Sequence, residues 1–174
     1  MNGLKTFFQN YDLKTPAWTL EGKQMWARVV DIYDADTLTL IIPIDSSGVY
    51  KFSCRVYGID TAEIKSKNEE NKMLANKAKN RMLELCGIKN IQLDKVYSRK
   101  ETQAMLNSDI YIVYIKCREW DKYGRLLVDV FNNVYNDVYN DHTNLADILI
   151  REKLAYAYFG GTKQTEEQQV ITLE

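Results

Sequence analysis

Short apolar and β-branched runs dominate the chain from Met25 onward. Residues 25–33, 37–42 and 49–59 are such runs, separated by Asp34-Ala35-Asp36 and by Asp45-Ser46-Ser47-Gly48. Runs of this length with polar turn residues between them predict three consecutive antiparallel strands. The period then changes. Met73, Leu74, Ala78, Met82 and Leu85 recur at helical spacing, Glu69 and Glu70 occupy the first turn, and Gly87 follows. This predicts an amphipathic helix over 69–86. Residues 91–93, 110–117 and 126–131 read as further strands, with a polar stretch from Ser98 to Ser108 between the first two. Residues 134–141 repeat Val-Tyr-Asn-Asp and predict a polar loop. A second helix starts at Asn144, a capping residue supported by Asp147, and runs through Leu154.

The flanks lack such periodicity. Residues 1–24, with Pro16 and Gly22, read as an N-terminal arm, residues 25–160 as the folded domain, and residues 161–174 as a polar C-terminal tail, frayed or briefly helical. Strands, an inserted helix, more strands and a closing helix form an α+β order, for which a small antiparallel barrel is the natural architecture.

Composition narrows the classes. At 174 residues, 45% hydrophobic and 27% charged, the chain has the make-up of one globular domain. No apolar run approaches the roughly 20 residues that cross a bilayer, and the N-terminus has no apolar segment leading to a cleavage site. The expected setting is therefore soluble and intracellular. Cys54, Cys86 and Cys117 are odd in number and widely spaced, and His142 is the single histidine, so neither a disulfide framework nor a zinc cluster is expected. A net charge of −1 argues against holding nucleic acid by bulk electrostatics. Phosphate recognition has to be local.

The acidic residues at strand ends are the strongest local signal. Asp34 and Asp36 link the first two strands, and Asp60 and Glu63 follow the third. Three sequential strands bring the first turn and the end of the third strand to one sheet edge, so Asp36 and Asp60 can converge. Converging carboxylates repel without a cation between them, and hard oxygen donors suit Ca²⁺ or Mg²⁺. Taken singly, an Asp at a strand end is more often a turn cap. Arg55 interrupts a run suited to burial, five residues before Asp60. It reads either as an internal ion pair or as a guanidinium aimed at phosphate. Arg125, after the Gly124 turn, is a candidate second clamp.

In combination these segments resemble the staphylococcal nuclease, or thermonuclease, family. The resemblance rests on Val29-Val30-Asp31-Ile32-Tyr33-Asp34-Ala35-Asp36-Thr37, on Arg55-Val56-Tyr57-Gly58-Ile59-Asp60-Thr61-Ala62-Glu63, on Asp121-Lys122-Tyr123-Gly124-Arg125, and on Leu149-Ile150-Arg151-Glu152-Lys153-Leu154-Ala155, in the family's order. It implies a five-stranded antiparallel OB-type β-barrel with two or three flanking helices. It further implies a Ca²⁺ held by Asp36, Asp60 and the backbone carbonyl of Thr61, with Asp34 behind them. Glu63 would act as general base on water, while Arg55 and Arg125 hold the phosphate and stabilise the transition state. Lys122 and Tyr123 match positions that touch the substrate's terminal phosphate. The implied reaction is hydrolysis of DNA or RNA to 3′-phosphates.

Three positions depart from the family pattern. Ala35 replaces a usual Gly, so the first turn must not require a positive φ there; Ala62 replaces a usual Pro; Lys153 stands where Gly is common. The link from Leu93 to Asp121 is also longer than the family connection. A non-catalytic OB-fold module binding nucleic acid or protein is the alternative. The joint presence of Asp36, Arg55, Asp60, Glu63 and Arg125 weighs against it. Tyr111, Tyr114, Trp120 and Tyr123 could form a stacking platform for single strands, although cross-strand packing is the commoner fate of such residues.

Overall fold

The computed structural model describes residues 2–132 and 143–173; the predicted loop at 134–141 and His142 lie outside the described residues. A short helix, α1 (Asn2–Phe8), precedes strands β1 (Gln24–Asp34), β2 (Thr37–Ile44), β3 (Gly48–Val56) and the two-residue β4 (Ile59–Asp60). Helices α2 (Glu69–Leu85) and α3 (Arg99–Asn107) follow, then β5 (Ile112–Trp120), β6 (Leu126–Phe131), α4 (Leu145–Arg151), β7 (Tyr156–Ala157) and α5 (Glu166–Leu173).

The five long strands close a barrel in the order β1-β2-β3-β6-β5, with β5 pairing back to β1. Alternation of side chains supplies its interior: Leu38, Leu40 and Ile42 from β2, Val113, Ile115 and Cys117 from β5, and Leu126, Val128 and Val130 from β6 are buried. The α+β barrel expected from the sequence is present. Its fully antiparallel arrangement is corrected at one junction, where β3 and β6 run parallel. Parity requires this. Strand directions cannot alternate around a closed ring of five, so one neighbouring pair must share a direction.

The helix count is also corrected, to five among the described residues. The polar stretch from Ser98 to Ser108 is α3, opened by a capping box in which the Ser98 hydroxyl accepts from the Glu101 N–H and the Glu101 carboxylate accepts from the Ser98 N–H. Thr102 and Leu106 bury its inner face. Residues 91–93 do not form a strand. Their backbone is satisfied by a side chain instead: Nδ2 of the buried Asn80 donates to the carbonyls of Gln92 (3.2 Å), Leu93 (2.9 Å) and Lys95 (2.6 Å). The C-terminal residues form α5, whose Gln169 and Leu173 are buried.

Several smaller expectations are met. Ala35 is absent from the residues with positive φ, whereas Lys153 takes φ 56°, the left-handed conformation that glycine favours. The three cysteines are free and buried, and burial pushes the Cys54 and Cys86 thiols up to about 12. Of the four aromatic residues that could form a stacking platform, Tyr114 packs edge-on against its cross-strand partner Trp26 at 5.1 Å. No helix among the described residues is long and apolar enough to cross a membrane.

Two stability outcomes follow. Asn80→Asp keeps the shape but turns an acceptor toward three carbonyls, so it should destabilise by about 1–3 kcal/mol or more in urea unfolding. Lys153→Gly, which relieves the left-handed strain at the end of α4, should stabilise by up to about 1 kcal/mol in the same measurement.

Candidate active site

The link between β1 and β2 and the end of β3 meet because β2 pairs with both neighbours. Thr37 faces Arg55 in the β2–β3 register, and the Val56 N–H donates to the Asp36 carbonyl at 2.8 Å. Asp36 is thereby set beside Arg55. The guanidinium spans two acids: Nη1 lies 2.6 Å from Asp36 Oδ2, and Nη2 lies 2.7 Å from Asp60 Oδ1. Nη2 also donates to the Ile59 carbonyl at 3.1 Å. At most two of the five arginine N–H donors remain for anything else.

Asp60 is 0% exposed, and each of its oxygens has a donor. Oδ1 is shared by Arg55 and by Nζ of Lys163 at 2.8 Å, and Oδ2 accepts a short hydrogen bond from the Tyr156 hydroxyl. β4 pairs with β7 with Asp60 opposite Tyr156, which explains that contact. Behind it, Gln169 Nε2 of α5 donates to the Tyr156 oxygen (3.4 Å), and Asn71 Nδ2 of α2 donates to Gln169 Oε1 (3.0 Å). A buried chain of polar groups thus runs from α2 through α5 to Asp60. Burial opposes ionisation of Asp60, but hydrogen bonds from Lys163, Tyr156 and Arg55 hold its carboxyl below the usual range.

Asp36 has the opposite balance. Burial, then the neighbouring Asp34 charge, push its carboxyl well above the usual range, against Arg55 and the Thr37 hydroxyl, which donates to Asp36 Oδ1 at 2.8 Å. Asp34 Oδ1 is buried and has no hydrogen-bond partner. On the far side of Asp34, the buried Lys79 of α2 has its pKa lowered by burial despite the charges of Asp31 and Asp34. Arg99 of α3 binds Asp31 at 2.7 Å.

The second arginine is aimed by its turn. Asp121 Oδ1 accepts from the backbone N–H groups of Tyr123 (2.8 Å) and Arg125 (2.9 Å), Gly124 supplies the positive φ, and Asp121 Oδ2 holds Arg125 Nε at 2.7 Å. Arg125 Nη1 then reaches Thr37 Oγ1 at 3.5 Å.

These groups surround one open cavity of about 430 Å³. Asp34, Asp36, Arg55, Thr61, Glu63 and Arg125 line it, joined by Tyr123 and Lys163. Lys122 lines a second cavity of about 340 Å³, which shares Arg55, Tyr123, Arg125 and Lys163 with the first and is walled by Tyr57, Tyr158 and Phe159. Of the residues expected from sequence, only Asp60 lines neither cavity; it lies beneath, reached through Arg55 and Lys163. Glu63 is exposed, and Lys163 Nζ lies 3.3 Å from its Oε1. Lys163, Tyr156, Gln169 and Lys79 were not legible as site residues. Tyr156, Lys163 and Gln169 have partners about a hundred residues away in sequence.

A family model described as staphylococcal nuclease homologue matches residues 53–174, more than half of the chain. The chain belongs to this family. The matched stretch contains Arg55, Asp60, Glu63, Arg125 and Lys163, while Asp34 and Asp36 lie just before it. No curated protein matches the chain.

The family is generally calcium-dependent, and a hard divalent cation requires oxygen donors. The oxygen chemistry fits: Asp34 and Asp36 are crowded carboxyls, and one buried oxygen of Asp34 lacks any donor. Among the described residues, no three acidic, histidine or cysteine side chains stand in a ready-made cage. Asp36, Asp60 and Glu63 are instead each paired with Arg55 or Lys163.

The double ion pair at Arg55 yields a stability prediction. Arg55→Gln takes the shared cation from two buried acids, Asp36 and Asp60, and should cost about 3–5 kcal/mol in denaturant unfolding, less to the extent that Lys163 holds Asp60. Adding Asp60→Asn should recover part of that loss, giving a nonzero coupling in a double-mutant cycle. Additive losses would mean the two side chains do not interact.

Proposed function

We propose that the protein is a metal-dependent phosphodiesterase that hydrolyses DNA or RNA. The observation that carries this reading is the gathering of two guanidinium groups, Arg55 and Arg125, with Asp34, Asp36, Thr61 and Glu63 around one solvent-open cavity. A polyanion needs cationic contacts, and a chain of net charge −1 can supply them only where they are concentrated.

In this reading Asp36, Asp60 and the Thr61 carbonyl would hold a Ca²⁺, with Asp34 supporting them. When bound, it polarises a phosphate oxygen and makes water more acidic. Glu63, exposed and on a loop at the cavity edge, accepts the proton of the attacking water. Arg125, anchored through Nε to Asp121, directs its terminal nitrogens at the phosphate; Arg55 contributes its remaining donors and its charge. Preorganisation is the physical advantage, since both arginines are fixed by carboxylates before substrate arrives. Lys122 and Tyr123, on the 121–125 turn, contact the terminal phosphate. Tyr57, Tyr158 and Phe159 offer ring faces beside the scissile group.

The alternative, an OB-fold module that binds without cutting, uses the same cavity. It leaves the exposed Glu63 only its ion pair with Lys163, at the edge of a phosphate-binding surface where a carboxylate repels the ligand.

Purified protein should cleave single-stranded DNA with Ca²⁺ present and stop on chelation. Glu63→Gln should lower kcat by about 10²–10⁴-fold at a circular dichroism spectrum like that of wild type. Cleavage that persists in chelator removes the metal from the reading, and a Glu63→Gln protein with wild-type turnover removes the glutamate.

A further inference from the structure

Asp60 presents a difficulty for any cation that is to bind it. Oδ2 is taken by Tyr156 within the buried chain to Gln169 and Asn71, and Oδ1 by both Arg55 and Lys163. Asp60 is fully buried beneath these donors, so a metal ion coming from the cavity meets one of them first. They are not equally fixed. Arg55 and Tyr156 are buried, and each is held by a second bond. The Lys163 side chain is 44% exposed, its ammonium is a compact charge on a flexible stem, and among the described residues it bonds only to the two acids. Lys163 also follows Gly160 and Gly161, both in left-handed conformations, on the link between β7 and α5.

The position of the ammonium is informative. It lies 2.8 Å from Asp60 and 3.3 Å from Glu63, at the cavity that Asp36 also lines. It neutralises the acids that the functional reading assigns to the metal and to the attacking water.

We propose that Lys163 is a tethered cation that competes with the divalent metal for Asp60 and Glu63, so that metal entry requires its ammonium to leave. Lys163 then sets how much metal is needed to load the site, and its departure frees the Glu63 carboxylate. The inference rests on the metal-dependent reading above, and it concerns a residue outside the motifs that define that reading. Charge opposes simultaneous occupancy, because an ammonium and a divalent ion on one carboxylate repel each other at close range in a partly desolvated site.

Calorimetric titration of Ca²⁺ into the intact protein without nucleic acid, at fixed pH and ionic strength, tests this. Lys163→Met and Lys163→Gln, which remove the charge from a half-exposed position, should bind Ca²⁺ about tenfold more tightly or better. Lys163→Arg, which keeps the charge, should stay near wild type. If wild type binds Ca²⁺ and the neutral variants bind no more tightly, the competition is overturned while the metal reading stands. If none of the proteins binds Ca²⁺, both fall. The same titration followed by thermal unfolding separates folding defects from binding: a larger Ca²⁺-induced rise in Tm for Lys163→Met supports competition, and an equal or smaller rise overturns it.

Discussion

One buried guanidinium organises the rim of the barrel. Arg55 lies between Asp36, at the turn joining β1 to β2, and Asp60, in the short strand after β3, so a single side chain ties three successive segments together. Removing such a group from water is costly, and the cost is met only because both carboxylates and the Ile59 carbonyl converge on it. That convergence places the same carboxylates beside the cavity. Stability and chemistry therefore draw on the same contacts, and the site cannot be loosened without loosening the fold around it.

Closure of the barrel adds a second constraint. An odd number of strands forces one parallel pair, and here it is β3 with β6. Cys54 pairs with Leu126 and Arg55 with Leu127, so Arg125, at the foot of β6, enters beside Arg55. Two arginines separated by seventy residues become neighbours through a parallel junction that neither strand's own pattern reveals. The 121–125 turn completes the arrangement by holding Arg125 through Asp121 before any ligand is present.

These two constraints explain what could be read from the chain alone. Alternation in β2, β5 and β6, the helical period of α2 and the Asn144 cap are local signals, and each matches its element. The clustering of Asp36, Arg55 and Asp60 was also legible, because adjacent strands bring together residues fewer than thirty apart. The capping box from Ser98 to Glu101 was present in the sequence and marks α3; its polar composition hid a helix that buries only a narrow face. Residues 91–93 carry a strand-like pattern but meet Asn80 rather than a neighbouring strand. Tyr156, Lys163 and Gln169 could not be found this way. Their contacts with Asp60, Glu63 and Asn71 cross 96, 100 and 98 residues, and no periodicity records a meeting at that range.

The distribution of charge around these distant contacts is uneven. Asp60 receives Arg55, Lys163 and the Tyr156 hydroxyl, whereas Asp34 keeps an oxygen without a donor beside Asp36, whose charge burial disfavours. One end of the acidic group takes two cations and a hydroxyl on a single carboxylate, while the other shares Arg55 through Asp36 and leaves an Asp34 oxygen without a donor. The Lys79 ammonium behind Asp34 does not remove the imbalance, because burial weakens its own charged form. A divalent cation drawn to Asp34 and Asp36 would approach Asp60 from the cavity side, where Lys163 is the most accessible of the three donors that hold it. The C-terminal segment, polar in composition and distant in sequence, is therefore part of the site's electrostatic balance rather than an appendage to the barrel.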